Sequence, residues 1–160
     1  MSQVEARLKA LYGIELPEAP APVADYAPYV IAGNLIYISG QLSKSMMVCF
    51  EGPLNDNDAD IEKGQRASQL CAVNILAQAK SALVQQGLSL DDIHRVVRLG
   101  GFVNSGPGMT RQPEVINGAS KLMNTIFADE KGLHSRAAVS ASALPFNVCV
   151  EIDAIIEFVA

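Results

Sequence analysis

The chain has 160 residues, enough for one ordinary domain with a buried core and too few for two. Apolar residues make up 49% and charged residues 18%, with a mean hydropathy of +0.20; this excludes the apolar-poor, highly charged composition of disordered chains. Twelve Lys and Arg against 17 Asp and Glu leave a net charge of −5, the wrong sign for a surface that tracks phosphates, so nucleic acid is not an expected partner.

In chain order, Ser2 followed by Glu5 forms a capping box. It opens a short amphipathic helix with Val4, Leu8 and Leu11 on one face and Gly13 as its stop. Residues 16–28 carry four prolines and read as an extended connector. The run from Leu35 to Gln41 is a strand expected to enter a turn at Ser39-Gly40. Residues 43–60 are irregular, with Met46–Phe50 as a candidate short hairpin strand. Ile61–Gln86 is helical, with Ala67, Leu70, Val73, Ala77 and Val84 as its stripe and Gly87 as its stop.

Ser89 and Asp92 make a small capped turn before a strand with Val97, Leu99 and Val103 on one face. After the loop Ser105–Gly108, Pro113 opens a second long helix with a Val115, Ala119, Leu122, Ile126 stripe. Two strands follow, 136–142 and 148–159, joined around Leu144-Pro145. The fold class is therefore α/β: a two-layer domain with a mixed sheet packed on two long helices. The organisation reads as residues 1–28, helix plus connector, followed by a single domain over 29–160.

The charged fraction lies below the ~25% usual for globular chains, so part of the apolar surplus is expected in a subunit interface. Cys49, Cys71 and Cys149 form no Cys-x-x-Cys pair, and the N-terminus shows no basic patch followed by an apolar run. No apolar stretch reaches the ~18 residues needed to span a bilayer. Reduced thiols in the cytoplasm are the expectation. Neither His94 nor His134 has metal-ligand spacing with the cysteines, and no metal site is expected.

The C-terminal strands are the most informative stretch. Val148, Val150, Ile152, Ala154, Ile156 and Phe158 alternate with Cys149, Glu151, Asp153, Ile155 and Glu157, so one face packs on helices and the other meets water or a cavity. Pairing the two strands as an antiparallel hairpin would set Arg136 opposite about Asp153, with Glu151 its diagonal neighbour roughly 7–8 Å away. That arrangement reads either as a receptor for an anionic substrate, with Glu151 activating a water, or as a plain cross-strand ion pair.

Ser39-Gly40-Gln41 after an apolar strand, Asn117 in a helix, and R-x-x-V-x-x-x-x-L-P-x-x-x-x-V-E-I-D-A from Arg136 to Ala154 resemble the Rid/YjgF family, the reactive intermediate deaminases also known as L-PSP endoribonucleases. The resemblance runs from about Tyr26 to the C-terminus. The helix at 2–12 and the connector resemble a longer branch of the family. The resemblance implies a chorismate-mutase-like fold and a homotrimer with clefts at subunit boundaries. It also implies hydrolysis of 2-imino acids to 2-keto acids and ammonia with no metal or organic cofactor. Arg136 matches the substrate-carboxylate arginine, Glu151 the acidic residue that positions water, and Tyr26, Ser39 and Asn117 the remaining cleft residues. Ala138 stands where the family often has cysteine, which excludes a thiol-dependent role there.

Three functions follow: a cofactor-free imine deaminase; a trimeric module that binds a small carboxylate metabolite without turnover; and, most weakly, an endoribonuclease. His134, two residues before Arg136, is a candidate proton shuttle or a plain loop histidine.

Overall fold

The structure, a computed structural model, describes residues 1–159; Ala160, the last residue of the expected domain, lies outside them. Three α-helices and a five-stranded mixed sheet form two layers among these residues: α1 (Gln3–Tyr12), β1 (Tyr29–Ala32), β2 (Leu35–Leu42), α2 (Asp58–Val84), β3 (Ile93–Asn104), α3 (Gln112–Ile126), β4 (Ser135–Ala141) and β5 (Val150–Phe158). The strand order is β1-β2-β5-β3-β4, and only β3 and β4 run parallel. No described helix is long and apolar enough to cross a membrane.

Local chemistry fixes the helix ends as expected. Ser2 Oγ accepts from the Glu5 N–H at 3.1 Å and Glu5 returns the bond to Ser2 N at 2.9 Å, while Gly13 takes φ +68° at the C-cap. α1 then docks through buried Val4 and Leu8. Its first N–H groups, on Gln3 and Val4, donate to the Asp91 carboxylate at 2.8 and 3.1 Å, an anion placed where the helix dipole favours it. Burial alone would raise the Glu5 pKa, but the bonds from Lys80, at 2.7 Å, and from Ser2 bring it down to about 2. A carboxyl depressed on folding stabilises the fold above its unfolded value, and that contribution is lost as pH falls toward 2. Glu5→Gln is therefore expected to destabilise by about 1.5–3 kcal/mol at pH 7, a gap that shrinks steadily between pH 4.5 and 2 in urea titrations.

The stripes of α3 and β5 pack as anticipated: Val115, Ala119, Leu122 and Ile126 are buried, as are Val150, Ile152, Ala154, Ile156 and Phe158. α2 departs from its expected stripe. It is buried on every side from Cys71 to Ala79, whereas Val84 is 60% exposed. The reason is that α2 is covered by the sheet, by α3 and by the connector, whose Pro20 carbonyl accepts from Gln78. On β3 the inward residues are Val96, Leu99 and Val103. A register shift between Val96 and Arg98 removes Val97 from that face. Ser39-Gly40 is not a turn: β2 continues to Leu42, with one extra residue between Ile38 and Gln41 opposite β5. Met46–Phe50 forms no strand; a tight turn with a single bridge, Lys44 to Cys49, stands there.

The helices cross at small residues. Ser68 Oγ accepts from Ala119 N at 2.9 Å and donates to Ile116 O at 3.3 Å. Gly118 packs against the Gln65 backbone so closely that any Cβ would overlap the carbonyl oxygen.

The expected C-terminal hairpin is absent. β4 pairs with β3 in parallel, through the crossover helix α3, and β5 lies between β2 and β3. The eight residues from 142 to 149 pass over the end of β3, a lateral step of about 10 Å that so long a link covers easily. Arg136 therefore stands opposite Leu99, not Asp153.

Candidate functional site

Glu151 and Arg136 lie on opposite faces of the sheet. Glu151 is level with Phe102, and Phe102 shares its face with Gly100 and Arg98, away from the helices. Arg136 is level with Leu99, whose side chain points into the helix layer. The two residues sit two strands and three positions apart, roughly 14 Å between Cα atoms.

On the open face, the bulge at Ser39-Gly40 shapes the acidic half. A Cβ on Gly40 would come within 2.5 Å of Glu151 Oε2, so glycine is what lets the carboxyl lie against the β2 backbone. Ser39 Oγ donates to Ala27 O at 2.7 Å and thereby holds the end of the connector, bringing Tyr26 to the rim. Tyr26, Ser39, Gly40, Arg98, Glu151 and Asp153 line one cleft of about 730 Å³. Burial, and then the neighbouring Asp153 charge, raise the Glu151 pKa above its ordinary value. Asp153 is also raised by burial, against the pull of Arg98, whose Nη1 is 3.4 Å from Oδ1. Glu151 is thus a half-buried carboxyl with no cation bonded to it among the described residues, suited to take a proton from water.

On the helix face, Arg136 Nη1 donates to Ser120 Oγ at 3.0 Å and Nη2 to Pro113 O at 3.2 Å. His134 Nδ1 lies 2.6 Å from Gly132 O, which can only accept, so the ring proton sits on Nδ1. His134 Nε2 is then the acceptor for the Ser120 hydroxyl at 2.9 Å. Burial lowers the His134 pKa, as does the Arg136 charge, which keeps the ring in this neutral form. Pro113, Asn117 and Ser120 follow at successive turns of α3. Asn117, half-buried, shares the edge that holds the guanidinium.

The structure therefore sorts the five sequence-derived residues into two groups: Tyr26, Ser39 and Glu151 on the open face, Arg136 and Asn117 at the β4–α3 edge. Asp153 pairs with Arg98, a residue that sequence reasoning passed over. The alternation Arg98, Gly100, Phe102 out of phase with Leu99 and Val103 was the available signal. Ser120 was also missed, although it falls three residues after Asn117. Cys71 and Cys149 are buried in the core, and burial raises both thiols. Among the described residues no group of three or more His, Cys, Asp or Glu is placed to hold a metal ion.

Comparison with known proteins matches residues 5–157 to the family described as "YjgF/chorismate mutase-like, putative endoribonuclease". The chain is 42% identical over 156 residues to Protein TCP17 of Trypanosoma cruzi, covering 97% of this chain and 94% of that protein. The crystal structure of Atu1372 from Agrobacterium tumefaciens superposes with TM-score 0.83 at 46% identity, over 98% of this chain and 93% of that one. TdcF of E. coli, solved with bound serine, is similar at TM-score 0.57 and 25% identity, over 89% and 94% of the two chains.

Proposed function

We propose, since this chain belongs to the YjgF/chorismate mutase-like family, that it hydrolyses 2-imino acids to 2-keto acids and ammonia in a cleft shared by two copies of itself. The observation that carries the reading is the separation of Arg136 from Glu151. Within one chain they cannot touch one small molecule. They can when the β4–α3 edge of one copy lies along the open sheet face of the next. That open face favours such docking: Val30, Tyr37 and Val139 are 55%, 44% and 47% exposed on it, an apolar surface suited to a subunit interface. A trimer of this kind would hold three equivalent clefts.

In the assembled cleft, the Arg136 fork binds the substrate carboxylate through two parallel charge-assisted bonds. Glu151 of the adjoining copy accepts a proton from water as its oxygen adds to the imine carbon. Glu151 hands that proton to the nitrogen to give the carbinolamine, then carries the hydroxyl proton to the amine, so that the carbon–nitrogen bond breaks and ammonia leaves as the carbonyl forms. A base of raised pKa takes the proton more readily, at the expense of needing a higher pH to be ionised. The rate should therefore rise with pH through the elevated Glu151 value. Asp153→Asn, by removing the like charge, is expected to move this acid limb to lower pH in a pH–rate profile.

The direct test couples the protein to an amino-acid oxidase that generates 2-imino acids, in the presence of semicarbazide, which traps whatever imine survives. Faster keto-acid release and less trapped imine are expected; identical traces with and without the protein would overturn the reading. TdcF with bound serine is a relative that holds a small carboxylate, in keeping with the site chemistry. Stabilisation by 2-keto acids without turnover would instead identify a binding module. The buried, unpaired Cys71 and Cys149 fit a reducing compartment such as the cytoplasm.

A further inference from the structure

We infer that the imine taken by this cleft carries a large apolar side chain, lodged in a second cavity beneath the proline-rich connector; this deepens the deaminase reading and rests on it. The cavity measures about 760 Å³, within the ~300–1,000 Å³ of sites that enclose whole small molecules. It adjoins the cleft beside Glu151: Val23, Tyr26, Gly40 and Leu42 line both. Its walls are chiefly apolar: Pro17, Pro22 and Val23 from the connector, Leu42 from β2, and Met46 and Met47 from the turn that follows.

The walls are held apart by two amides on successive turns of α2, each at most 3% exposed. Gln78 Nε2 donates to Pro20 O at 2.7 Å and fixes the connector. Asn74 Nδ2 donates to Leu42 O at 3.2 Å and Lys44 O at 3.1 Å and fixes the opposite wall. Buried amides committed in this way to main-chain carbonyls keep the space pre-formed. Lys44, at the rim, directs its ammonium over the Phe146 ring, 4.4 Å from the centroid.

A one- or two-carbon side chain would leave the apolar lining, Pro22, Val23, Leu42, Met46 and Met47, uncovered. A leucine-, methionine- or phenylalanine-like side chain would cover part of that lining, beginning with Val23 and Leu42, which border both spaces. The pliable Met46 and Met47 suit a class of such chains more than one compound. Each added methylene in an apolar pocket changes binding by about tenfold or more.

The test measures binding of three product acids by calorimetry: 2-oxobutanoate, 4-methyl-2-oxopentanoate and 3-phenyl-2-oxopropanoate. The two bulky acids are expected to bind at least about tenfold more tightly than the small one. Ala21→Trp, an exposed connector position facing the cavity, should weaken the bulky acids at least tenfold and the small one far less. The double variant Met46→Ala, Met47→Ala, at exposed positions that leave the core intact, should cut the preference severalfold. Arg136→Ala should weaken all three acids. Equal affinities in the unaltered protein, or a preference that neither cavity variant changes, would overturn the inference while leaving the deaminase reading in place. Absence of binding by any of the three, together with no acceleration of imine hydrolysis, would sink both.

Discussion

Arg136→Ala is expected to lower kcat/KM for imine hydrolysis by about 10²–10⁴. Two charge-assisted bonds of about 1.5–3 kcal/mol each are lost, and the neutral Asn117 amide and Ser120 hydroxyl at the same edge cannot replace a charged, two-pronged grip. Arg136→Lys should recover little, because an ammonium cannot reproduce the planar fork. The fold should hardly notice. Among the described residues the guanidinium hydrogen-bonds only Ser120 and the Pro113 carbonyl, and Ser120 keeps its bond to His134. Steady-state kinetics beside a thermal melt separate the two effects. An unchanged kcat/KM would remove Arg136 from the site, and a collapsed melting temperature would mark it as structural.

Gly118→Val is expected to have the opposite profile, a large loss of stability with no direct effect on chemistry. The new side chain would meet the main chain of Gln65 on α2, and a main chain in mid-helix cannot step aside as a flexible side chain can. Overpacking of this kind costs about 3 kcal/mol or more. For a chain of this length that lowers Tm by about 6–12 °C. Pushing the helices apart would also break the Ser68 bonds to Ile116 and Ala119. Calorimetric melting checks the result, and a Tm within a degree of the unaltered protein would show that the helix crossing yields to the added side chain.

Periodic and capping signals carried the helical half of the fold. Ser2 and Glu5, Gly13, Gly87 and Pro113 marked helix ends that the structure places within a few residues, because caps and stops act over one turn of chain. The alternation of β5 likewise named its buried face correctly. The same kind of reasoning failed at Ser39-Gly40 and at Val97. A bulge is specified by what lies across the ladder, here the Glu151 carboxyl against Gly40, and no local pattern encodes that neighbour.

The cleft was legible as residues and not as a place. Arg136, Asn117 and Glu151 were identified through a motif in which only chain spacing is visible, and proximity in the chain suggested a hairpin that would join Arg136 to Glu151. Strand pairing decides otherwise. The β3–α3–β4 crossover makes β4 a parallel edge strand, and β5 takes the central position between β2 and β3, turning the two residues to opposite faces. Amino-acid order by itself determined the two-layer α/β class, the helix termini and the identity of the charged groups, since each depends on interactions within a few residues. Which groups share a surface and how large a cavity the connector borders were decided only by the tertiary structure. These depend on contacts between segments that strand order, and nothing nearer in the chain, brings together.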